Sequence, residues 1–144
     1  MARIRFFHTV FVVIFVLLAG SAQARNSEFN LKPASPEVKA YGTVEISHTG
    51  FVPFDRLLEI YVTRLEHGAV YSVWLLDTET DERSAAGLTG QNNFDTGESG
   101  NAHYTAYLSE FEIDWRTLQI AYHPDGDASN TRDMVVVLTV RLYE

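Results

Sequence analysis

From residue 38 to the end of the chain, apolar side chains recur at every second position, and that period admits one kind of element. Alternate residues of an extended strand point to opposite faces, so a two-residue period places one apolar face against a core and leaves the other in water. Val44 and Ile46 alternate with Thr43, Glu45 and Ser47, while Leu58, Ile60 and Val62 alternate with Glu59, Tyr61 and Thr63. The run Val70 to Leu76 is apolar at both parities, which predicts a central strand covered from two sides. Ala85 to Leu88 is a short candidate. Ala102, Tyr104, Ala106 and Leu108 oppose His103, Thr105 and Tyr107; Leu118, Ile120 and Tyr122 repeat the pattern, and Val136, Leu138, Val140 and Leu142 close it. Almost nothing here reads as helix. Turn chemistry separates the runs, as at Pro124-Asp125-Gly126, where proline presets φ and glycine tolerates a positive one. The expectation is an all-β fold: an antiparallel β-sandwich of about seven strands, immunoglobulin-like in general architecture.

Ahead of this domain, residues 1–24 read as a signal peptide. Arg3 and Arg5 supply a positive start, Val10 to Ala19 form an apolar run, and Ala22-Gln23-Ala24 places small residues where a signal peptidase cuts. A periplasmic or secreted product beginning at Arg25 is expected. An uncleaved leader would be the one route to a membrane, yet the run is short of the roughly 20 apolar residues a spanning helix needs. Residues 25–37, polar and carrying Pro33 and Pro36, read as a linker or a loosely docked arm, and 38–144 as the sandwich.

Charge and sulfur narrow the function classes. With 11 basic and 19 acidic residues the formal net charge is −8, and loss of Arg3 and Arg5 with the leader makes it −10. Phosphate binding depends on clustered cations, so nucleic acid is excluded as a natural partner. The chain has no cysteine, so its core must hold it without disulfides, and thiolate nucleophiles, blue-copper centres and iron–sulfur ligation are ruled out.

Tyr71 to Leu138 resembles the extracytoplasmic C-terminal domain of anti-sigma-K factors, a bacterial β-sandwich. The matching features are Tyr71-Ser72-Val73-Trp74-Leu75 with Asp77 after it, Ala86-Gly87-Leu88, Phe94 to Gly97, and the turn and Val-rich strand from His123 to Val137. Those factors carry a sigma-binding domain before a membrane helix, and residues 1–24, read here as a leader, hold no counterpart of that domain. The resemblance therefore implies a stand-alone version of the outer, sensory or interaction half, and not sigma-factor inhibition.

Several residue sets qualify as sites. Tyr61, Tyr107 and Tyr143 fall on the polar-alternating sides of their strands, where exposed aromatics form a platform for a sugar or a partner protein. Asp125, Asp127, Ser129, Asn130 and Asp133 crowd one loop with the hard oxygen donors that calcium takes, around a permissive Gly126. The plainer reading is an acidic turn bonded to its own backbone. His103 and His123 fall on the outward sets of their strands and could share copper or zinc if those strands were neighbours; otherwise they are isolated surface histidines. Asp77, Glu79, Asp81 and Glu82 form a second acidic loop without a glycine to wrap an ion.

Glu110, Glu112 and Asp114 align carboxylates about 7 Å apart on one strand face, a spacing compatible with glycoside hydrolysis, although like charges on an edge strand also discourage aggregation. Gly97-Glu98-Ser99-Gly100 lacks a residue that a nucleophile elbow needs. Trp74, on the most apolar strand, is expected in the core. The leading reading is an exported, non-enzymatic binding or interaction module for a protein or glycan, needing no cofactor. The alternative is a metal-binding domain, with calcium in the Asp125 loop or copper or zinc at His103 and His123.

Overall fold

The computed structural model describes residues 26–50, 56–87, 91–109 and 115–143. The leader and the Glu110, Glu112 and Asp114 set lie outside the described residues. Within them the chain is all-β, with nine antiparallel strands and no helix. The strands are β1 (Ser27–Pro33), β2 (Tyr41–His48), β3 (Arg56–Thr63), β4 (Val70–Leu76), β5 (Arg83–Ala85), β6 (Asn93–Asp95), β7 (Ala102–Leu108), β8 (Thr117–His123) and β9 (Val135–Arg141). They hydrogen-bond in the order β5-β4-β8-β9-β1-β2-β3-β7, with β6 also on β4.

Two strands more than expected arise from β1 and β6, and the short candidate at Ala85 to Leu88 meets β5 only at Ala85. The β1 strand corrects the reading of residues 25–37 as a linker or loose arm. Phe29 and Leu31 face inward while Glu28 and Asn30 face water, a two-residue period too short to stand out beside two prolines. Pro33 sits at the strand's end, where a missing N–H is tolerated. Residues Ser27 to Leu31 pair with β2, and Lys32 and Pro33 pair with β9. One strand thereby joins a half made of β2, β3 and β7 to a half made of β9, β8, β4, β5 and β6, and the sheet curls about it.

Inside the curl, Val44, Ile46, Leu58, Ile60 and Val62 from one half meet Tyr71, Val73, Leu75, Leu118, Ile120 and Leu138 from the other, all buried in one cluster. Crosslinks between the halves hold the curl. The Tyr104 hydroxyl on β7 donates to the Ala86 carbonyl at 2.7 Å. The connection after β3 is fastened to the one before β7: Leu65 N–H donates to Gly100 O, Gly68 N–H to Gly97 O, and the Thr96 hydroxyl to Glu66 O.

Trp74 departs from its expected place. On β4 the inward parity belongs to Tyr71, Val73 and Leu75, so Trp74 falls with Ser72 on the other face and is only half-buried. Gly42 has a packing reason. It lies on β2 opposite Leu31 and Val62, and a Cβ there would press into the Tyr61 carbonyl. Because a backbone carbonyl in a paired strand cannot swing away, Gly42→Ala is expected to destabilise the fold by about 1–3 kcal/mol. Urea unfolding checks this, and an unchanged midpoint would contradict it.

Candidate functional site

The outward parity of β1, β2, β3 and β7 composes a second surface on the far side of the sheet from the core. Direct pairing arranges it in rows across the strands. Asn30, Thr43, Tyr61 and His103 form one row; Glu28, Glu45, Glu59 and Thr105 form the next; Ser47, Leu57 and Tyr107 form a third. Tyr41, 52 % exposed, stands at one end with the Arg64 guanidinium 5.4 Å from its ring centre. Tyr61 and Tyr107 are 42 % and 54 % exposed.

Both of these tyrosines were predicted as binding residues, and the sheet brings them to one face, two strand rows apart. Tyr143 is elsewhere: it is half-buried against the core, its ring packed edge-on to Phe29 at 5.7 Å. Its position just past β9 places it beside the inward-facing Phe29, so alternation from β9 misassigned it. Tyr41 was missed, although its alternation with Thr43 and Glu45 carried the same signal.

Tyr61 and His103 stack face to face, centroids 4.3 Å apart and planes 9° from parallel. They are direct cross-strand partners, so their ring normals run from strand to strand and the rings stand on edge above the sheet. What they offer a ligand is their polar rims more than a flat face. Glu59 ties the pair together: its Oε1 lies 3.5 Å from His103 Nε2 and accepts from the Tyr61 hydroxyl at 3.3 Å. The Tyr61 phenol is pushed above its ordinary pKa, first by loss of surrounding water and then by the charge of Glu59. A shallow depression of about 350 Å³ opens beside the rings, between Tyr61, Thr63, Asn101 and His103.

The middle row is electrostatically unbalanced. Glu28, Glu45 and Glu59 are direct neighbours on three strands, and like charges facing one another across a sheet are destabilising. No lysine or arginine stands in that row. The face therefore offers acceptors that a cationic partner would satisfy.

The proposed metal ligands divide differently. Asp125 accepts from Asp127 N–H and from Asn130 Nδ2, and Asp127 from both the N–H and the hydroxyl of Ser129. These bonds, the Asn130 side chain first for Asp125 and the Ser129 hydroxyl first for Asp127, hold both carboxyls below the usual carboxylate range. Asp133 accepts from the same Asn130 amide. The loop has the bonding of a self-satisfied acidic turn. Asp77, in the other acidic loop, accepts in the same manner from Glu79 N–H and the Thr80 hydroxyl.

His103 and His123 are on β7 and β8, which do not pair, so the neighbouring of strands that a shared metal required is not found. His123 also corrects the expectation of a surface histidine. Its parity is outward, but that face is closed over at this end: His123 is 1 % exposed, and Ser72 and Ala121 are fully buried. Among the described residues no three His, Asp or Glu side chains are gathered as a metal site needs.

A buried polar chain here was not visible in the sequence. Trp74 Nε1–H donates to Ser72 Oγ at 2.6 Å, and Ser72 Oγ lies 2.6 Å from His123 Nε2. His123 Nδ1 is buried without a hydrogen-bond partner. The Ser–His spacing is that of an activated nucleophile, but both side chains are sealed from solvent and the serine oxygen is already an acceptor from Trp74. The contact fixes Trp74 and leaves no approach for a substrate.

No protein-family model, curated protein or solved structure matches this chain. Ser72→Ala, which strips a partner from buried His123 and from Trp74, is expected to cost about 1–3 kcal/mol in urea unfolding. A loss under about 0.5 kcal/mol, the level of an ordinary surface change, would contradict the chain's structural role.

Proposed function

We propose that this protein is an exported, non-enzymatic binding module, cleaved after Ala24 to a periplasmic or secreted domain, whose recognition surface is the outer face of β1, β2, β3 and β7. The observation that carries this reading is the grouping of Tyr61, His103 and Tyr107 beside Glu28, Glu45 and Glu59, a row without lysine or arginine, on one exposed face. Large aromatics left in water are the residues that anchor interfaces, and acidic neighbours set the sign of the partner.

Between the two ligand classes expected, the rim-up rings favour a protein. A sugar stacks its flat side on an aromatic face, and the Tyr61–His103 stack takes up one face of each of those rings. Phenol, imidazole and carboxylate rims suit the amides and cations of a polypeptide. Needing no cofactor is part of the same reading, since aromatic and charged side chains suffice for recognition.

Peptide and glycan arrays probed with the purified exported protein test the proposal. Tyr61→Ala with Tyr107→Ala is expected to weaken peptide binding at least about tenfold, the size of a lost anchor, with the melting temperature nearly unchanged. Tyr143→Ala should leave binding intact. Peptide binding that survives the double substitution would remove the face from the account.

A further inference from the structure

We propose that the ligand joins the sheet as an added strand along the open edge of β7, and that it is an extended polypeptide with lysine or arginine at alternate residues. This rests on reading the outer face as the recognition surface, and adds how the partner is held and which partner it is.

The two ends of the sheet differ in how they are protected. At one end β5 and β6 are three residues each and carry Arg83 and Asp95, the shortness and charge that discourage further pairing. At the other, β7 runs seven residues in unbroken register with β3, from Arg56 opposite Leu108 to Val62 opposite Ala102. Among the described residues it pairs with no other strand; Phe94 of β6 approaches it through Tyr104, on the inner side. Its sequence, Ala-His-Tyr-Thr-Ala-Tyr-Leu, contains no lysine, proline, glycine or carboxylate. An edge of this length with none of those devices is a template for main-chain pairing.

Charge selects the occupant. A strand added to β7 continues the rows of the outer face, so its outward residues come beside His103, Thr105 and Tyr107. The Thr105 row leads directly to Glu59, Glu45 and Glu28. A cation in that row starts about 10 Å from β3, a gap that an extended lysine and the Glu59 side chain close between them. The exported domain's net charge of −10, from 9 basic and 19 acidic residues after loss of Arg3 and Arg5, steers cationic chains inward and repels a second copy of this protein.

The test uses the purified exported protein and an eight-residue peptide alternating lysine and valine, with two copies N-methylated on the lysines or on the valines. Only one side of an added strand bonds to β7, so one methylated copy is expected to bind like the parent and the other at least about tenfold more weakly. The parent should slow hydrogen exchange of β7 amides. Glu45→Gln with Glu59→Gln should weaken it several-fold and flatten its salt dependence, and a glutamate–valine peptide should not bind.

Equal binding by both methylated copies would overturn strand addition. If Tyr61→Ala with Tyr107→Ala still abolished that binding, the outer-face reading would stand without it. A protein that ignores every peptide overturns the proposal. So does one that sediments as a dimer dispersed by Thr105→Lys, which would make a second copy the occupant.

Discussion

Burial of one parity of side chains against the other half of the sheet is the constraint on which this molecule depends. Each long strand has two faces, and the chain gives one face of each to a shared core in which Ile60, Leu75, Leu118, Ile120 and Leu138 are fully buried. Without cysteines, no covalent staple shares that load. β1 makes the arrangement possible by pairing with β2 at its start and β9 at its end, so two sheets become one curled surface with a common interior.

The opposite parity is then free to carry chemistry that would ruin a core. Three glutamates in a row, two stacked rings and a third exposed aromatic can coexist only where water screens the charges. In the β4–β8 half the same parity is used for structure instead: Ser72 and His123 are sealed and hydrogen-bonded, with Trp74 as donor. One curled sheet thus has an outer face that is closed at one end and open at the other, and the open part adjoins the edge strand β7.

Where a strand is long and strictly alternating, as in β2, β3 and β7, its existence and its inward residues were legible from sequence, and so was the exposure of Tyr61 and Tyr107. Phe29 and Leu31 gave too short a signal for β1, and three-residue β5 and β6 gave almost none. Parity assigns a residue to a face but does not say whether that face is covered; hence His123 was placed on the right side and wrongly in solvent. Trp74 was misplaced because an all-apolar run carries no parity signal, and composition alone favours burial. The Glu28-Glu45-Glu59 row depends on register between strands distant in sequence, which no single-strand pattern contains.

Neighbouring residues on β3 offer the most direct test of the division into a packing face and a recognition face. Ile60 points into the core and Tyr61 out of it. Urea unfolding of Ile60→Ala is expected to lose about 2–5 kcal/mol, while Tyr61→Ala, giving up only a cross-strand contact with His103, should lose about 1 kcal/mol or less. Equal losses at the two positions would contradict the account, because the outer face would then be part of the packing that holds the protein together.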